Sequence, residues 1–115
     1  MLGTVKSSTE ISYLFSHGKK HVTPAITLII FRGGTKHGPS GRVAFVAGKK
    51  NGNAVWRNKA KRRMRAVCHD CGGPWPNLIV LFVARKPLTT ISYSKVLEAC
   101  NKVFESYSEN HYETE

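Results

Sequence analysis

The chain has 115 residues, 41% of them hydrophobic, and a formal net charge of +11. That suffices for one compact domain and argues against disorder throughout, while no run of ~18 apolar residues offers a transmembrane helix. The N-terminal MLGTVKSSTE lacks the apolar core of a signal peptide, so a cytoplasmic chain with no membrane partner is expected.

The elements read in chain order as follows. Ser7 or Ser8 offers an N-cap, Glu10 suits a first turn, and Ile11, Leu14 and Phe15 share one face of a helix that Gly18 closes. HVTPAITLIIFR (21–32) reads as a strand whose regular part starts after Pro24 or bulges there, with a short strand near His21–Val22. GGTKHGPSG (33–41) is a turn or loop and RVAFVAG (42–48) a second long strand, which predicts an antiparallel pair. A basic helix follows, ended by GGPWPN (72–77). LIVLFVAR (78–85) has the near-uniform apolarity of a strand covered on both faces. Beyond a turn at Pro87, Val96, Leu97, Cys100, Val103, Phe104 and Tyr107 form the stripe of a last helix, with a tail frayed from about 109 to 115. The order α-β-β-α-β-α predicts a single domain over 1–115. Its fold is an α/β sandwich (α+β), one antiparallel or mixed sheet of about four strands with helices packed on it.

Charge is unevenly distributed. Thirteen Lys and Arg lie between Glu10 and Asp70 with no acid among them, while the chain from Pro87 onward is net acidic. Such asymmetry suits a polyanion, because each neutralised phosphate releases counterions. The segment KKNGNAVWRNKAKRRMR (49–65) concentrates it, with eight Lys or Arg in seventeen positions. Asn53 is a good N-cap, and at ~100° per residue Trp56, Ala60, Met64 and Val67 fall in one stripe. Asn58, Lys61, Arg62 and Arg65 take the opposite side. Arg57, Lys59 and Arg63 flank the stripe, their stems free to lie along a core. The helix can thus dock on a sheet and still present a basic ridge. Guanidinium groups favour structured RNA or phosphate clusters, and Asn58 can reach a 2′-hydroxyl or base edge. A DNA-groove helix would need a helix-turn-helix partner or a dimer zipper, and neither pattern is present.

Catalytic and metal chemistry are not expected of the chain. The basic half has no paired carboxylates, and His17, His21, His37, His69 and His111 show no triad spacing. CHDC (68–71) has metal-like spacing, but a structural zinc site needs a second pair, so a fraying helix end with one half-buried thiol is the better reading. Cys100 completes an odd number of thiols.

The order of residues is more specific than the charge. GNAVWRN followed by KAKRRMR closely resembles the signature of the bacterial ribonuclease P protein family, roughly K-K-x-G-N-A-V-x-R-N-x-x-K-R-x-x-R. Lys49, Lys50, Gly52, Asn53, Ala54, Val55, Arg57, Asn58, Lys61, Arg62 and Arg65 match it. FSHGKK (15–20), RVAFVAGKK (42–50) and VARKP (83–87) extend the resemblance over about residues 5–107. It implies a left-handed βαβ crossover carrying the basic helix, a fold of the ribosomal protein S5 domain 2-like kind.

The resemblance also implies an accessory subunit of an RNA-based endoribonuclease that removes the 5′ leader of precursor tRNA. Ribonuclease P RNA and precursor tRNA would be its partners, with no small-molecule substrate. The RNA subunit would hold the catalytic Mg²⁺ and perform the hydrolysis. Lys49, Lys50, Asn53, Arg57, Asn58, Lys61, Arg62 and Arg65 are the implied RNA contacts. Phe15, Phe31, Arg42, Arg85 and Lys86 are candidates for a leader cleft between the first helix and the sheet. The chain departs from the family at Ile11 and Ile29, where aromatic residues are usual, and at Lys59, which keeps a charge but lacks the guanidinium fork. A structural RNA-binding protein of ribosomal type is the alternative, and a basic DNA-binding module a third reading.

Overall fold

The computed structural model describes residues 3–4, 8–32, 42–75 and 78–113, with side chains between Ile11 and Tyr107. Its elements are β1 (Gly3–Thr4), α1 (Ser8–His17), β2 (Lys19–Val22), β3 (Ile26–Arg32), β4 (Arg42–Val46), α2 (Ala54–Asp70), β5 (Leu78–Ala84) and α3 (Tyr93–Glu113). Short 3₁₀ turns at Lys49–Asn51 and Lys86–Thr89 precede α2 and α3. Four main strands and the two-residue β1 form one mixed sheet in the order β1-β4-β5-β3-β2. The expected α+β sandwich is therefore present.

One pairing differs from expectation. β3 and β4 are not neighbours, because β5 lies between them, antiparallel to β3 and parallel to β4. β5 is the most apolar strand, and a central position buries it on both faces; Val80, Leu81 and Phe82 are fully buried. β4, α2 and β5 form the crossover that a parallel pair requires. The 33–41 segment, read as a turn or loop, lies outside the described residues. Nine residues reach across one intervening strand as readily as they close a hairpin.

Pro24 acts as expected. β2 ends at Val22, Thr23 caps the turn by donating its hydroxyl to the Ile26 carbonyl at 2.6 Å, and β3 starts at Ile26. The helical backbone of α3 runs to Glu113. No Gly or Pro follows Pro87 to stop it.

Strand alternation divides the core into two layers. Ile26, Leu28 and Ile30 of β3, Val43 of β4 and Val80 and Phe82 of β5 face α2 and α3, where they meet Met64, Val67, Val96, Cys100 and Phe104. Trp75 stacks on Phe104 at 4.0 Å between centroids and fills the corner below Phe82. The other face packs Ile29, Ala44, Ile79 and Leu81 against Leu14 of α1. Gly18 permits the close approach there, since a Cβ would lie 2.5 Å from Ile29 Cγ2 and 2.7 Å from the Leu14 oxygen. Among the described residues no helix is long and apolar enough to cross a membrane.

Candidate nucleic-acid interface

The ridge is built from the start of α2. Asn53 accepts a hydrogen bond from the Trp56 amide at 3.0 Å, the cap that its position predicts. Gly52 is sterically required, because a Cβ would come within 2.7 Å of the Trp56 side chain. Ala60, Met64 and Val67 are completely buried, so the stripe that docks the helix is the expected one, joined by Cys68. Gly72, at φ 89°, ends the helix in the left-handed conformation, and Gly73 N–H returns to the Cys68 carbonyl at 2.8 Å.

The charges sort more finely than the sequence suggests. Arg57, Lys61 and Arg65 form a row at four-residue spacing, a rise of about 6 Å per step. Arg57 and Lys61 are half-buried, and Arg65 is exposed with its guanidinium 5.7 Å over the Phe45 ring of β4. Arg65 therefore leans toward β4 and is not diametrically opposite the stripe. Asn58 and Arg62 are exposed on the outer side of the helix. Arg63 turns the other way, and its Nη1 donates to the Leu88 and Ile91 carbonyls at 3.0 and 2.8 Å. It clamps the turn before α3.

Lys49 and Lys50 are exposed on the 3₁₀ turn ahead of α2, and Asn51 Nδ2 reaches the Ala84 carbonyl at 3.4 Å. That contact brings the turn beside Arg85 and Lys86 at the exit of β5. Lys86 is exposed, whereas the Arg85 guanidinium donates to the Thr23 carbonyl at 2.8 Å and ties β5 to the β2–β3 turn. Lys49, Lys50 and Lys86 thus converge with the positive end of the α2 dipole. Among the described residues no carboxylate pairs with any cation of the ridge.

On the α1 side of the sheet, Val22, Thr27, Val83 and Val46 form one rung across four strands. None is fully buried and Val22 is 67% exposed, so this rung is an open apolar shelf beside α1. Phe15 packs half-buried against the core under α1. Phe31 and Arg42 both lie opposite Ile79, at the start of β5, whereas Lys86 lies beyond its end. The five leader candidates are therefore spread over the length of β5, about 20 Å. Ile29 is 1% exposed beneath Gly18 and cannot offer a stacking surface, while Ile11 is half-buried. Sequence reasoning missed Tyr13. It is 50% exposed, stacks on His17 at 4.1 Å and meets the edge of Phe31 at 5.8 Å. Its two-residue offset from Phe15, which points it the other way around the helix, was the available signal.

The model of the family described as Ribonuclease P matches residues 3–108. The chain belongs to this family. A ribonuclease P protein component from a Nitratiruptor species is 28% identical over 102 residues, covering 89% of each chain. One from Shouchella clausii is 29% identical over 101 residues, 86% of this chain and 80% of that one. The RNase P protein of Staphylococcus aureus shares the fold at a TM-score of 0.75 and 19% identity, covering 93% of this chain and 96% of that chain. The Thermotoga maritima RNase P protein does so at 0.71 and 20%, covering 87% and 93%.

In this ribonuclease P protein the titratable groups where α2 meets α3 serve the fold. The Asp70 carboxylate accepts from the Tyr93 hydroxyl at 2.5 Å, pinning the end of α2 to the start of α3, and that bond, with His69, holds it below the usual carboxylate range. Burial pushes Cys68 to about 11, and Cys71, through burial and its neighbours Cys68 and Asp70, also to about 11. Burial, with Cys71 adding, pushes Cys100 to about 12. Such thiols stay protonated at neutral pH and make poor nucleophiles. Within 68–71, Cys71 is half-buried and Cys68 is fully enclosed, and Cys100 is buried in the apolar stripe of α3 where its spacing places it. Among the described residues no three His, Cys, Asp or Glu side chains gather as a metal site.

Proposed function

We propose that the protein binds the ribonuclease P RNA through the α2 ridge and guides the 5′ leader of precursor tRNA along the α1 face of the sheet, promoting leader removal. The observation that carries this reading is the row Arg57, Lys61 and Arg65, with Asn58 and Arg62 outside it, held rigidly by a buried stripe and unmatched by any described carboxylate. Guanidinium and ammonium groups fixed in this way contact phosphates with little ordering cost. Lys49, Lys50 and Asn53 extend the row onto the α2 N-terminus.

For the leader, Arg42 and Phe31 stand at one end of the sheet face and Lys86 at the other, with Phe15 and the valine shelf between. An extended single strand of a few nucleotides spans that length, its bases on apolar surface and its phosphates on the end charges. Arg85 contributes by fixing the β2–β3 turn.

Within the complete enzyme the RNA subunit holds Mg²⁺ and supplies hydrolysis. The protein's role is electrostatic and positional, and the one carboxylate within the α2 sequence, Asp70, is engaged by Tyr93. The test compares holoenzyme affinity for precursor tRNA with that for mature tRNA. Wild type should favour the precursor, and a Phe15→Ala, Lys86→Ala variant should lose that preference while still binding the RNA subunit. Equal affinity for both substrates with wild-type protein would contradict leader guidance.

A further inference from the structure

At the sheet edge farthest from β4, a cleft of about 430 Å³ opens between the end of α1, the β2–β3 hairpin and the second half of α3. His17, Lys19, His21 and Arg32 line it with the hydroxyls of Ser106 and Tyr107, and no described carboxylate does. Register explains the convergence. Lys19 and His21 pair with Ile30 and Leu28, both core residues on the α3 side, and Arg32 lies two residues beyond Ile30 on that same side. Tyr107 approaches from α3, and the Arg32 guanidinium sits 5.2 Å over its ring.

The polar groups are already arranged. His21 Nε2 lies 2.9 Å from the Tyr107 hydroxyl, with the rings edge to face at 5.5 Å. Burial, with Lys19 adding, holds the His21 imidazole below the usual histidine range. A neutral ring donating Nε2–H to the phenol oxygen leaves the phenol hydrogen for another acceptor. His17 Nδ1 is 3.0 Å from the Tyr13 carbonyl, and its ring is fixed by stacking on Tyr13. Ser106 is satisfied by its own helix, donating to the Val103 carbonyl at 2.8 Å. Among the described residues neither Lys19 nor Arg32 has an ion-pair partner. A concave site lined by one sign of charge focuses its field on a counter-ion.

We infer that this cleft is a phosphoryl-anion site, in which Lys19 and Arg32 provide charge, the Tyr107 hydroxyl donates a hydrogen bond and the fixed His17 ring forms one wall. It is separate from the α2 ridge, three strand steps or about 14 Å across the sheet from β4. The anion comes either from an RNA backbone or from a free phosphate ester; the chemistry recognised is the same. Binding here concerns the protein alone and does not depend on the reading of leader removal.

The test uses the full chain and the ring signals of His17 and His21 in ¹H–¹³C NMR at fixed ionic strength. One arm titrates inorganic phosphate, the other a single-stranded RNA hexamer. The expected result is a saturable shift of both rings in at least one arm, lost in Arg32→Gln and retained in Lys59→Gln. Tyr107→Phe should weaken binding roughly tenfold, as loss of one hydrogen bond to a charged group does. Saturation with phosphate identifies a free phosphoryl ligand as sufficient, and saturation with RNA alone identifies the polynucleotide backbone. Unchanged rings in both arms overturn the proposal, as does a shift that Arg32→Gln leaves undiminished. Amide spectra of the variants matching wild type establish that the fold is intact.

Discussion

Arg63 sits among seven other Lys and Arg of the 49–65 segment, yet the structure gives it a different task. Its Nη1 donates to the Leu88 and Ile91 carbonyls, and Leu88 is fully buried. Hydrogen bonds from a charged donor contribute about 1.5–3 kcal/mol each. Because two bonds share one half-buried nitrogen, we take the lower end, about 2–3 kcal/mol for Arg63→Ala. In a domain of this size that lowers the melting temperature by about 10–15 °C. Arg62, one residue away and exposed, serves as the control, and Arg62→Ala should stay within about 0.5 kcal/mol of wild type. Urea and thermal unfolding of the three proteins measure this. Affinity for ribonuclease P RNA should show the reverse order, with Arg62→Ala weakened and its salt slope reduced by about 1. Equal stability of Arg63→Ala and wild type, or equal losses from both variants, would falsify the assignment.

Other outcomes follow from the same geometry. Asn53→Ala removes the α2 cap and should cost about 1 kcal/mol in urea unfolding; Asn53→Asp should retain the cap but weaken RNA binding by adding a negative charge to the ridge. Gly52→Ala should destabilise more than a typical loop substitution, because the new methyl meets Trp56, and Trp56→Ala in the same chain should relieve part of that loss. The thiols make stability fall on the alkaline side. Their folded values are raised, so their contribution is complete below about 9 and is lost as pH rises toward 11 and 12. At pH 10 Cys68 and Cys100 should each account for roughly 1 kcal/mol. Unfolding at pH 7.5 and 10 checks this, and Cys100→Ala should flatten the difference; an unaltered pH dependence would contradict it.

The sequence made local features legible and left non-local ones out of reach. The α2 cap, stripe and termination depend on residues within a few positions of one another, and each is found where periodicity places it. Strand pairing depends on contacts distant in sequence, so nothing in residues 21–48 announces that β5 will insert between β3 and β4. The same limit hid Arg63 and Arg85, whose acceptors are carbonyls 25 to 62 residues away. On a helical wheel Arg63 is one more flanking cation. Ile29 stands where the family resemblance implies an aromatic residue, and only the approach of Gly18 shows that here it is core. The convergence of Lys19, His21 and Arg32 with Tyr107 likewise needs the β2–β3 register and the docking of α3.

Precursor-tRNA cleavage by a purified bacterial ribonuclease P RNA at low Mg²⁺, with and without this protein, decides whether the ridge serves the RNA enzyme. Wild type should restore correct 5′ maturation, and an Arg57→Ala, Arg62→Ala, Arg65→Ala variant of unchanged fold should not. Wild-type protein that binds the RNA but leaves cleavage unchanged would contradict the proposal and favour a purely structural RNA-binding role.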